Sequence, residues 1–120
     1  MINTLADLTL ALRRFAAERD WEKFHSPKNL AMALSVEVAE LLEHFQWLTQ
    51  QQSLRLDAEQ QQAVREEVAD VLIYLTRLAD RLGIDLLAAA EEKMARNAEK
   101  YPVTASRGGA DHPAPVEELP

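Results

Sequence analysis

Cysteine is absent from the 120 residues. That excludes disulfides, thiolate zinc centres and cysteine nucleophiles. Glycine and proline are scarce, at 3 and 5 residues. So few turn formers favour long helices over hairpins. No apolar run approaches the ~20 residues that span a bilayer. The first twelve residues lack the charged start, apolar run and small-residue cleavage site of a secretory leader. The expected location is therefore cytoplasmic, with no membrane partner. Positive charge is in deficit: 13 Lys+Arg stand against 20 Asp+Glu, a formal net charge of −7. Nucleic acid polymers and anionic lipid surfaces both call for a surplus of cations, so neither is an expected partner.

What remains is a chain that is 48% hydrophobic, in a length that builds one core. All the proline and glycine after Val103 fall where apolar periodicity has ceased, so residues 104–120 read as a flexible tail and residues 1–103 as the domain. Four helices can be bracketed within the domain. The first covers residues 4–20, with Leu5, Leu8, Leu12 and Phe15 on one face. The second starts at Pro27 behind the N-cap Ser26 and is expected to reach residue 49. The third follows the capping pair Asp57 and Gln60 and stops at Gly83, a residue suited to a left-handed close. The fourth follows Asp85 and ends before Pro102. No segment alternates like a half-buried strand. The expected fold is all-α, a four-helix bundle.

Two helices carry acids on or beside their buried stripes. The second reads Leu30, Leu34, Glu37, Leu41, His44, Leu48, with Glu40 one turn beyond Glu37. The third reads Val64, Val68, Val71, Leu75, Leu78, Leu82, flanked by Glu67 and Asp70. Either i,i+3 pair alone is ordinary on a solvated face. Two such pairs, each against an apolar seam, are costly unless a cation compensates them. Oxygen-only ligands suit a hard divalent cation such as magnesium. A di-iron bundle needs Glu-x-x-His motifs from two helices; here Glu22-Lys-Phe-His25 alone has that spacing, and His25 stands in the turn before Pro27. Glu18, Glu22, Asp80 and Glu91 follow no comparable pattern.

These residues also carry a resemblance. Glu37-Val-Ala-Glu40, 26 further residues, then Glu67-Val-Ala-Asp70 resembles the Glu-x-x-Glu … Glu-x-x-Asp signature of the MazG-like all-α nucleoside triphosphate pyrophosphohydrolases. Phe15-Ala-Ala-Glu-Arg-Asp-Trp-Glu-Lys-Phe-His25, Glu43-His-Phe-Gln-Trp47, Asp70-Val-Leu-Ile-Tyr74, Lys93-Met-Ala-Arg-Asn97 and Lys100-Tyr-Pro-Val103 resemble its dCTP pyrophosphatase branch. In many members two adjacent glutamates open the first motif; here Val36 precedes Glu37. The resemblance implies cleavage of a dNTP, dCTP or a 5-modified relative, between the α and β phosphorus atoms. It implies Glu37, Glu40, Glu67 and Asp70 as catalytic ligands of Mg2+, with Mn2+ as a substitute. One of these carboxylates would take the proton of the attacking water, Glu40 being the candidate.

The fourth helix places Lys93 and Asn97 in one row with Leu86, Ala90 and Tyr101. The resemblance implies that Lys93 and Asn97, with Lys100 and Tyr101 nearby, bind the triphosphate. A snorkelling lysine is the plainer explanation of Lys93. Trp21 and Trp47 would enclose the base, since an indole face stacks on any nucleobase. Tyr74 would pack on the sugar and favour deoxyribose, and His25 would border the base. Leu10, Met32, Leu42 and Ile73 lie off the main stripes and are candidate interface residues. The expected assembly is a homotetramer, a dimer being the alternative. The competing reading from another class is a non-catalytic helical oligomerisation module, which would have no reason to keep the four acids, Lys93 and Asn97.

Overall fold

The computed structural model describes residues 1–103, so the expected tail lies outside the described residues. Among the described residues every regular element is helical, as expected. The long helices are α1 (Leu5–Glu18), α2 (Pro27–Glu43), α4 (Ala58–Leu82) and α5 (Leu86–Lys100); a single turn, α3 (Gln50–Ser53), and a 3-10 turn at Glu22–Phe24 complete the set. The chain divides into two compact units, the first being Met1–Ile84 and the second beginning at Asp85.

In the first unit α2 and α4 form the principal helix pair, and α1 packs on α4. His25, just before α2, bonds to Arg77 near the end of α4, whereas Glu37 meets Glu67 and Asp70 nearer its start. The two helices therefore run antiparallel. Local chemistry sets most boundaries. Ser26 Oγ accepts from Asn29 N at 3.1 Å, and Pro27 occupies the first turn, where its missing N–H leaves no bond unmade. The Asp57–Gln60 capping box is closed by bonds of 2.7 and 3.0 Å.

The ends of α1 and α4 share a design. Gly83 takes a left-handed φ of 67°, with Gly83 N donating to Asp80 O and Ile84 N to Ala79 O. Asp20 adopts the same region at φ 55°, with Asp20 N donating to Ala17 O and Trp21 N to Ala16 O. Both are Schellman closes. At α1 the accompanying apolar contact is aromatic: Trp21 meets Phe15 edge-on with ring centroids 5.7 Å apart.

Two expectations need correction. The second helix stops at Glu43, not at residue 49. His44, Phe45 and Leu48 bond to carbonyls three residues back, which tightens the chain into turns. Thr49 then caps α3 with its own capping box to Gln52. The third helix also turns a different face inward. Of the expected row Val68, Leu75 and Leu82 are exposed while Val64, Val71 and Leu78 are half-buried, and Glu67, Asp70, Tyr74 and Arg77 lie on the inward side with the latter three. The acids do not flank the inward stripe; they are part of it.

In the second unit Asp85 caps α5, its carboxylate accepting from Ala88 N at 3.0 Å. Leu86, Asn97 and Tyr101 are half-buried, and Lys93 and Lys100 are exposed.

Candidate functional site

The inward faces of α2 and α4 bring the acids together. Carboxylate oxygens of Glu37, Glu67 and Asp70 all lie within 4.8 Å of one another. Glu40, one turn along α2 from Glu37, interacts with both Glu37 and Glu67. Like charges this close oppose ionisation. Burial, then the neighbouring Glu40, then the charge of Asp70 push the Glu37 carboxyl up to about 7. Burial and Glu40 raise Glu67 as well.

Among the described residues the cluster also lacks donors. Oε2 of Glu37 and Oε2 of Glu67 are shut off from solvent and have no hydrogen-bond partner. A buried carboxylate oxygen without a donor is unstable unless a cation supplies the missing charge. Three converging oxygens, two of them with one atom orphaned, fit a hard divalent cation with room left for water or substrate oxygens.

A cavity of about 260 Å³ opens next to the acids along α4. Tyr74, one turn after Asp70, begins its wall, and Arg77, another turn on, continues it. Leu12, Phe15 and Ala16 of α1, Trp21 and His25 of the connection, and Ile73 complete the lining. The Schellman close at Asp20 returns the chain to α1 and sets Trp21 against Phe15 at the rim. His25 is fixed from α4: Arg77 Nε donates to its Nδ1 at 3.2 Å. Burial, then the charges of Arg77 and Arg81, hold the imidazole pKa below its ordinary value against the opposing pull of Glu22. Arg77, only 5% exposed, donates through its Nη1 to Asp80 Oδ2 at 3.2 Å. Arg13 of α1 grips the same carboxylate, with Nε at 2.8 Å from Oδ2. These contacts, Arg13 foremost, hold Asp80 below the usual carboxylate range.

The structure thus gathers seven of the expected site residues: the four acids in one cluster, and Trp21, His25 and Tyr74 around the adjoining cavity. It does not bring Trp47 to that cavity; the residue sits in the turn after α2 and is 86% exposed. Lys93, Asn97, Lys100 and Tyr101 belong to the second unit. There Asn97 Oδ1 is shut off from solvent without a hydrogen-bond partner among the described residues, and the Lys100 ammonium lies 5.4 Å from the Tyr101 ring centroid. Arg77 escaped the sequence reading, because an arginine in a helix reads as surface. Its signal was the spacing 67, 70, 74, 77, which continues the acid row by helical steps. Ile73, expected on an outer face, lines the cavity, and Asp80 is a tie between α1 and α4 rather than an unpatterned acid.

Comparison with known proteins gives the same picture of kinship. The family model described as MazG-like matches residues 32–110. The dCTP pyrophosphatase 1 of Mus musculus is 48% identical over 109 residues, covering 89% of this chain and 64% of the mouse protein. That of Homo sapiens is 44% identical with the same coverage. The chain thus spans 64% of the length of these curated relatives. The crystal structure of a pyrophosphatase from Archaeoglobus fulgidus aligns with a TM-score of 0.78 and 43% identity, over 85% of this chain and 95% of that one.

Proposed function

The chain belongs to the MazG-like family, and from that premise we propose that it is a magnesium-dependent dNTP pyrophosphohydrolase. The substrate is dCTP or a 5-modified dCTP, and the products are the nucleoside monophosphate and pyrophosphate. The role is to clean the nucleotide pool of the cytoplasm. The kinship with dCTP pyrophosphatases supports the substrate class. The observation that carries the reading is the juxtaposition within the first unit: an oxygen cluster short of positive charge, one helical turn from an aromatic-walled cavity. That pairing suits a ligand with a polyanionic end and a flat apolar end.

Glu37, Glu67 and Asp70 would hold Mg2+, or Mn2+ in its place, with Glu40 beside them. A divalent cation there supplies counter-charge for the phosphates and Lewis acidity at phosphorus. Glu40 lies outside the triad of converging oxygens yet interacts with two of its members. That position suits it to accept the proton of the attacking water. Trp21 offers its indole to the base, and Tyr74 stands between base and acids, where the sugar must pass. The phosphate contacts expected of Lys93, Asn97, Lys100 and Tyr101, the base contact expected of Trp47, and assembly into a homotetramer (or a dimer) belong to the same proposal.

The test is a panel of canonical and 5-substituted dNTPs, with separate detection of pyrophosphate and orthophosphate. Monophosphate plus pyrophosphate is expected, with dCTP preferred. Release of orthophosphate as the primary product would reject the cleavage position. Glu37→Gln and Asp70→Asn should keep the helical fold and lose turnover by more than the roughly 10–100-fold that outer-shell changes cost. Full magnesium-dependent turnover in either variant would reject the metal assignment.

A further inference from the structure

The acids and the cavity are built on different helix pairs. Glu37 and Glu40 come from α2, Glu67 and Asp70 from α4. The cavity takes nothing from α2. Leu12, Phe15 and Ala16 of α1, with the connection behind them, form one wall, and Ile73, Tyr74 and Arg77 of α4 form the other. Its width is therefore set by where α1 sits on α4. Apart from Arg77, the fully buried residues of these two helices are small: Ala16 on α1, Thr76 and Ala79 on α4. Small side chains raise low ridges and resist sliding only weakly.

What fixes α1 is polar. Arg13 grips both oxygens of Asp80, with Nε on Oδ2 at 2.8 Å and Nη2 on Oδ1. Among the described residues no other hydrogen bond joins α1 to α4. A bidentate guanidinium–carboxylate pair fixes direction as well as distance. Arg13 directly follows Leu12 in the chain, so a shift that breaks the pair moves the wall. Asp80 is a firm anchor, its side chain 9% exposed and its Oδ2 also accepting from buried Arg77. That second bond closes within α4 and cannot place α1. Arg13 is 55% exposed, and its removal leaves Asp80 still paired with Arg77.

We propose that Arg13 is a positioning residue for substrate binding: its tie to Asp80 holds α1 at the spacing from α4 that the bound ligand needs. It takes no part in the chemistry at the acids. The inference rests on the reading of the cavity as the site of the substrate's flat end. Without the tie, α1 must be drawn into place by the ligand, and that ordering is charged to affinity. The acids, carried by α2 and α4, keep their places.

Arg13→Met keeps the aliphatic stem and removes the fork, so it is the variant to measure, well below its melting transition. Its KM for dCTP should rise about three- to fivefold, the upper range for a pair with one exposed partner, while kcat stays within about twofold. Binding of dCMP by calorimetry in chelator, which needs neither metal nor turnover, should weaken by the same factor. Amide exchange should quicken in α1 and stay unchanged in α2. Arg13→Lys, whose ammonium can still meet one oxygen, should recover part of the affinity. Arg14→Met removes the same charge from the next residue of the helix and should bind dCMP as the wild type does. That control separates the tie from general attraction to phosphate. Unchanged KM and dCMP affinity in Arg13→Met, an equal loss in Arg14→Met, or a fall in kcat at constant KM would each overturn the assignment. Weaker dCMP binding in Arg13→Met, with no pyrophosphate released from any dNTP by the wild type, would instead fault the proposed reaction and leave the positioning role standing.

Discussion

Glu37 is the residue on which the acidic cluster presses hardest. Its carboxyl is raised from 4.5 to about 7, chiefly by burial and by Glu40. The folded chain therefore holds this proton more tightly than the unfolded chain. Its contribution to stability is complete below pH 4.5 and is lost as pH rises through about 7. In chelator, the melting temperature of the wild type should fall across that window relative to Glu37→Gln, which has no proton to lose. Saturating magnesium should abolish the difference between low and neutral pH in the wild type, since a ligand that binds only the folded form stabilises it. A wild-type profile parallel to that of Glu37→Gln in chelator would contradict the burial of this group. Asp80 has the opposite sign. Its pKa is depressed, so its contribution is present above 3.8 and lost as pH falls through the lower folded value. Asp80→Asn would leave the buried Arg77 without its counter-charge and should cost about 3 kcal/mol in urea unfolding, the low end for a broken buried pair. The four acids were legible because their spacing placed them against an apolar row. Arg77 was not, because its charge is tied into the interior through Asp80, which is in turn held by Arg13 from another helix.

At the scale of elements, the caps carried most of the readable information. Ser26 with Pro27, Asp57 with Gln60, Gly83 and Asp85 each mark a boundary that the structure keeps. They are legible because each binds backbone within a few residues of itself. The end of α2 was not legible. Leu41, His44 and Leu48 keep helical spacing straight through the turn, so periodicity alone cannot see the break at Glu43. The inward face of α4 misled for a related reason: half of its apolar row, Val68, Leu75 and Leu82, lies outside, and only tertiary pairing with α2 reveals that acids face in beside Val64, Val71 and Leu78. The close of α1 offers a sharp test. Asp20 sits at φ 55°, a region that costs an ordinary L-residue about 1 kcal/mol. Asp20→Gly should be neutral or stabilising by a few tenths of a kcal/mol to about 1 kcal/mol. Asp20→Val should destabilise by at least about 1 kcal/mol, because a β-branched residue resists that conformation more strongly. Chemical denaturation of both variants measures this. Trp21 fluorescence should shift in Asp20→Val, since the same turn aims the indole.

For the whole molecule the exposed apolar faces matter most. Val68, Leu72, Leu75 and Leu82 form one outward row on α4, and Met32, Val36 and Leu42 are exposed on α2. On the proposed assembly into a homotetramer or a dimer, these faces would meet a second copy. The double variant Leu72→Asp with Leu75→Asp should sediment as a smaller species than the wild type while retaining its helical circular dichroism. Unchanged sedimentation would place the interface elsewhere. The inward row of the same helix has a different consequence. Glu67 and Arg77 are ten residues apart, which at 1.5 Å per residue is a span of about 15 Å. On the proposed reaction a substrate grips that span at both ends, and each contact raises the effective concentration of the other. Cleavage between the α and β phosphorus atoms divides one bivalent ligand into two monovalent fragments. The avidity disappears with the bond, so the reaction itself hastens the departure of its products.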